Sequence, residues 1–148
     1  MLEKIKTLRE KTGISIAECR AALEASGNDL KRALEELRKR GEKNAEKKSS
    51  RALKAGVVAS YIHQNRALGA LVAVFCETDF VAKNPEFIAL ADDLAMQVAA
   101  FAPSDTEELL AQPFVRQQEI PVSEVIKGNI QKFGENIAVT HFERLALE

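Results

Sequence analysis

The chain has 148 residues, of which 46% are hydrophobic and 29% charged, with a net charge of -1 and two cysteines. That length accommodates one ordinary domain, or one with a small module, and the composition is that of a globular rather than a disordered protein. The near-zero charge gives no general attraction to nucleic acid or an anionic membrane, and no apolar run is long enough to span a bilayer.

The opening residues, MLEKIKTLREK, are charged throughout and lack the apolar core of a signal peptide, so a cytosolic protein is expected. Leu2, Ile5 and Leu8 recur at every third position and predict a first helix, with Gly13 as its stop. Ser15 and Glu18 have the spacing of a capping box; Ile16, Cys19 and Leu23 continue a second helix as far as Ser26 and Gly27. A third helix begins at Asn28 or Asp29, carries Leu30, Ala33, Leu34 and Leu37 on one face, and is expected to close at Gly41. Residues 1–41 therefore read as a three-helix module, marginal alone and of the size of a protein-binding adaptor.

Between Arg38 and Lys54 eight basic residues face only two acids, Glu42 and Glu46. Aromatic residues for base stacking are missing from this run, so residues 42–55 read as a solvated, partly helical linker rather than a nucleic-acid contact. Beyond it, Gly56 to His63 and Leu68 to Cys76 are strand-like, and the four residues between them suit an antiparallel hairpin. The second strand is apolar on both parities, which implies cover on both faces. The stretch Glu77 to Phe87, ETDFVAKNPEF, is a charge-bearing loop that leads into a helix, with Asn84 as cap and Pro85 in its first turn. Phe80 in such a loop either folds back onto the core or is presented to a partner.

Phe87, Leu90, Ala91, Leu94, Val98 and Phe101 line one side of that helix, which Pro103 is expected to end. Ser104 to Leu110 suggests a short helical turn, Pro113 to Pro121 reads as irregular, and Ser123 to Phe133 as a helix with Gly134 as stop. Ile137 to Leu147 alternates imperfectly and is expected to be the third strand. The fold class is α+β: three helices, then a core over residues 56–148 with a three-stranded antiparallel sheet packed by helices.

Chemical signatures are sparse. The chain has no glycine-rich phosphate loop, nucleophile elbow or zinc-protease helix, so neither catalytic residues nor a cofactor are expected. Cys19 and Cys76 form no ligand cluster with His63 and His141, so no metal site is expected; both read as buried free thiols of a reducing compartment. A thiol site built from Cys76, Glu77 and His63 is one enzymatic alternative; a carboxylate pair of Asp79 and Glu77 is another, although two acids near a helix start are ordinary.

Four segments occur in the order of one known family: LREKTG at Leu8 to Gly13, ECRAAL at Glu18 to Leu23, CETDFVAKNPEF at Cys76 to Phe87 and GENIAV at Gly134 to Val139. On these segments the chain resembles elongation factor Ts, the bacterial guanine-nucleotide exchange factor for elongation factor Tu. The resemblance implies a ubiquitin-associated-like fold for the first module and a cytoplasmic, bacterial protein without covalent chemistry. It further implies that the Thr78, Asp79, Phe80 and Val81 loop reaches the nucleotide-binding domain of GDP-bound or nucleotide-free elongation factor Tu, with Phe80 wedged beside the Mg²⁺ site. Arg9, Ile16 and Ala17 match the positions by which the first module holds that domain. Many relatives carry a second core and a helical-hairpin insertion. With one core here, a homodimer that engages its partner as a 2:2 complex is expected, with no direct nucleic-acid or membrane contact. Ala17 is smaller than the residue relatives often have there, and Thr140 and His141 stand where a basic pair is common.

Overall fold

The computed structural model describes residues 1–147, which form seven helices and five strands in two compact units. One unit is Met1–Ser50 with Lys127–Gly134; the other is Arg51–Ile126 with the residues from Glu135 onward.

In the first unit α1 (Leu2–Thr12), α2 (Ile16–Ala25) and α3 (Leu30–Lys48) bury Ile5, Leu8, Ile14, Cys19, Ala22, Leu23, Ala33 and Leu37 in one cluster. Leu2, expected in that stripe, is exposed. Gly13 adopts the left-handed conformation and donates its N–H to Arg9 O at 2.8 Å, closing α1. Ser15 Oγ accepts from Glu18 N–H at 3.3 Å, which starts α2 as its spacing predicts. Asp29, not Asn28, caps α3 by accepting from the N–H groups of Lys31 and Arg32. The bond from Arg32, above all, holds its carboxyl below the usual carboxylate range. The expected stop at Gly41 is incorrect. Gly41 is buried within α3, and a Cβ there would lie 2.6 Å from Gln131 Oε1, so this glycine makes room for a side chain instead of ending the helix. Much of the basic run is thus helical, with Lys39, Lys43 and Lys47 one turn apart along α3.

In the second unit β1 (Ala55–Ile62) and β2 (Leu68–Cys76) form the expected hairpin. After β2 come α4 (Asp79–Ala82), α5 (Pro85–Phe101), α6 (Thr106–Ala111), β3 (Pro113–Phe114), β4 (Gln117–Pro121), α7 (Val122–Phe133) and β5 (Ala138–Ala146). α7 begins in this unit, and its residues from Lys127 group with the first. The sheet is antiparallel in the order β1-β2-β5. Its inner face packs against α5, whose Phe87, Leu90, Ala91, Leu94 and Val98 are buried together with Ala70, Val72, Val74 and Cys76 of β2. Phe101, expected on that face, is only partly covered, at 40% exposure.

The imperfect alternation of β5 has a structural cause. Val139 pairs with Val74 while His141 pairs with Ala73, so Thr140 is an extra residue in the ladder and the inward parity switches across it. Val139 faces inward before this bulge; Phe142, opposite Val72, does so after it. The outer face keeps Val58, Ile62, Leu71 and Leu145 exposed, so the cover that β2 led one to expect on both faces is present on one.

Pro113 to Pro121 is not irregular but a small hairpin, organised by one buried side chain. Gln97 of α5 donates from Nε2 to Pro113 O at 3.0 Å and to Gln112 Oε1 at 3.2 Å, and its Oε1 accepts from Val115 N–H at 2.7 Å. Its full hydrogen-bonding satisfaction is what permits its burial.

Candidate functional site

The loop expected between β2 and α5 contains a helical turn. Thr78 is extended and its hydroxyl oxygen accepts from Val81 N–H at 3.4 Å, opening α4. Asn84 then caps α5 by accepting from Glu86 N–H at 2.9 Å, with Pro85 in the first turn as its missing N–H allows. Two abutting caps leave four residues for α4, and these divide by burial. Val81 and Ala82 face inward; Phe80 is 90% exposed. Of the two readings of Phe80, folding back onto the core is therefore excluded. Leaving a phenylalanine ring in water instead of the interior forgoes about 1.5–3 kcal/mol. Val81, in contrast, anchors the turn from beneath.

The turn is held from a distant part of the chain. Glu135 Oε1 accepts from the N–H groups of Glu77 and Thr78, each at 3.0 Å, and its Oε2 accepts from the Thr78 hydroxyl at 2.6 Å. Asn136 N–H donates to Glu77 Oε2, which also lies 3.7 Å from the Arg51 guanidinium, and the Asn136 side chain donates to Arg51 O at 3.0 Å. Asp79 and Lys83 flank Phe80 on the exposed side. Glu135 lies in the GENIAV segment, but spacing carried no signal for its link to Thr78, 57 residues away. The cap made by Thr78 was legible in principle, as a threonine followed by an acidic residue.

Arg9, near the end of α1, and Ile16 and Ala17, at the start of α2, are all exposed on the three-helix unit. Ile16 continues the apolar spacing of its helix but is 47% exposed, so it is not a core position.

The thiol alternative is not assembled. Cys76 pairs with Ala55 at one end of the hairpin, whereas His63 follows Ile62, which pairs with Gly69 at the other, roughly 20 Å away along the ladder. Burial, and next the charge of Glu135, push the Cys76 thiol above the ordinary range, opposite to what activation requires. Among the described residues no group of three or more His, Cys, Asp and Glu is arranged to hold a metal ion, and no helix is long and apolar enough to cross a membrane.

Comparison with known proteins agrees with the motifs around this turn. The family model described as Elongation factor TS matches residues 77–148. The curated Elongation factor Ts of Thermodesulfovibrio yellowstonii is 36% identical over 186 residues, covering 96% of this chain and 93% of the relative. That alignment is longer than the present chain, so the relative carries a segment without a counterpart here. The Elongation factor Ts of Clostridium kluyveri is 39% identical over 145 residues, covering 98% of this chain; the chain spans about half of that relative's length, 47%. For the Microcystis aeruginosa protein of the same name the identity is 36%, with 98% and 76% covered. By similarity along almost its whole length to relatives of this one name, the chain belongs to the elongation factor Ts family.

Proposed function

We propose that this chain promotes release of GDP from elongation factor Tu by inserting the α4 turn beside the partner's nucleotide-bound Mg²⁺. The observation that carries the reading is Phe80, 90% exposed on a turn fixed from both sides, at the motif that the family model includes. Asp79 and Phe80 supply the contact, Thr78 shapes the turn and Val81 anchors it. Arg9, Ile16 and Ala17 form a second contact on the three-helix unit, for which we infer a ubiquitin-associated-like fold. The protein acts in the bacterial cytoplasm and carries out no covalent chemistry.

The mechanism is linkage. Mg²⁺ demands near-octahedral coordination and bridges nucleotide phosphate to protein in P-loop GTPases, so a small displacement of its surroundings loosens the nucleotide. Phe80 need not touch GDP. Burying one phenylalanine supplies about 1.5–3 kcal/mol, and each 1.4 kcal/mol is about tenfold in affinity, so one wedge gives modest weakening. The remaining coupling comes from the second contact. Because such coupling is reciprocal, rebinding of nucleotide expels the factor as strongly as the factor expels nucleotide.

The same reading assigns a second copy of the chain to the outer sheet face. Val58, Ile62, Leu71 and Leu145 are exposed there on all three strands, and a face of this kind is suited to a symmetric contact with itself. Such a dimer engages elongation factor Tu as a 2:2 assembly.

The test is release of fluorescent GDP from elongation factor Tu at fixed Mg²⁺. The intact chain is expected to accelerate release, and Phe80→Ala to lose most of the acceleration while retaining the fold. Undiminished acceleration by that variant overturns the wedge, and no acceleration by the intact chain overturns the exchange reading.

A further inference from the structure

Gly134 stops α7 in the left-handed conformation, φ +71°, with its N–H donating to Ile130 O at 2.9 Å. The turn brings the next two residues against the exit of β2, where Glu135 meets three donors of two consecutive residues: the N–H of Glu77, the N–H of Thr78 and the Thr78 hydroxyl. A hydroxyl has one proton to give. Because that proton goes to Glu135 Oε2, the oxygen's lone pair is left to accept from Val81 N–H, and the chain of bonds from Val81 through Thr78 to Glu135 has one direction. The ionised carboxylate strengthens each bond it receives. Asn136 braces the same point by donating to Glu77 and to Arg51 O.

A four-residue helix is far below the length that holds itself together in water. The exposed ring of Phe80 contributes little to ordering the turn, which depends on Val81, Ala82 and the bonds just described. We propose that Glu135 is a positioning residue for nucleotide exchange: acting through Thr78, its carboxylate fixes the α4 turn so that Phe80 is presented in one orientation. The inference rests on the exchange reading above. A recognition element ordered in advance does not have to be ordered during binding, so its full interaction is available to displace the partner's groups.

The test uses the full chain as Glu135→Ala and Glu135→Gln, each alone and combined with Phe80→Ala. GDP release is measured over a range of factor concentration, alongside amide hydrogen exchange. In Glu135→Ala the amides of Thr78 and Val81 are expected to exchange faster while those of Val72 and Val74 stay protected. Maximal release falls on the order of tenfold, equivalent to roughly one charge-assisted hydrogen bond. The concentration giving half-maximal release changes less, because the three-helix unit is untouched. Glu135→Gln keeps an acceptor for the two backbone groups but turns an NH₂ toward the Thr78 hydroxyl, and is expected to be intermediate. In the Phe80→Ala background neither substitution lowers release further, a non-additivity that general destabilisation does not produce.

Unchanged amide exchange in Glu135→Ala overturns the proposal. So does faster exchange with undiminished release, or a further loss in the Phe80→Ala background. If Phe80→Ala itself leaves release intact, the wedge fails and the positioning role with it, while the exchange reading fails only if the intact chain gives no acceleration; the Thr78 amide, still loosened in Glu135→Ala, tells either result from failure of the clamp alone. Should Glu135→Ala not fold, the glutamine variant carries the same comparison.

Discussion

Phe80 and Cys76 are four residues apart and opposite in exposure, the ring in water and the thiol fully buried. Both thiols of the chain are held above the ordinary range, in each case chiefly by burial. The folded protein therefore retains protons that the unfolded chain releases above roughly pH 8.5, and stability that is fully present below that value falls as pH rises further. Urea unfolding at pH 7 and at pH 9.5 checks this: Cys19→Ala with Cys76→Ala is expected to show a shallower loss between the two than the parent chain, and an identical loss overturns the assignment. In the folded parent, iodoacetamide at pH 8 is expected to modify neither cysteine until denaturant is added.

Elements formed by local rules were legible in the sequence, and those formed by distant side chains were not. The span of β2 and the caps of α2 and α5 follow from spacing and cap chemistry within a few residues. Gly41 was misleading because a helix interior tolerates a glycine where another side chain, here that of Gln131, lies against it. The β3–β4 hairpin was invisible for a related reason. Its turn, Val115 and Arg116, has no glycine or asparagine, and its geometry is imposed by Gln97 from α5. Replacing Gln97 with leucine keeps most of the volume but strands the Val115 N–H, and is expected to destabilise the protein by about 1–3 kcal/mol. Denaturant unfolding measures the loss, and faster amide exchange at Val115 locates it. A change below about 0.5 kcal/mol, ordinary for surface positions, would show that the hairpin holds itself. At the candidate site the same division holds: the motifs contain Phe80 and, in GENIAV, Glu135, while the bonds from Thr78 to Glu135 emerge only when the chain is folded.

At the scale of the molecule, the sheet of the second unit is covered by α5 on one side and bare on the other. Leu145 is 76% exposed on the bare face, so Leu145→Lys should leave the single chain folded. If a second copy covers this face, sedimentation equilibrium at micromolar concentration gives twice the chain mass for the parent and the single mass for the variant. A single mass for the parent removes the 2:2 assembly and leaves the exchange reading intact.

The hydrogen bonds from Glu77 and Thr78 to Glu135 also set an order in time. They close a loop of more than fifty residues, and loops of that length close late compared with helical turns and hairpins. While the chain is being synthesised, β1, β2 and α5 emerge before the carboxylate that secures α4 exists. A nascent chain thus carries Phe80 well before it carries the carboxylate that holds the turn beneath it, and the α4 turn gains its long-range bonds only once Glu135 has emerged.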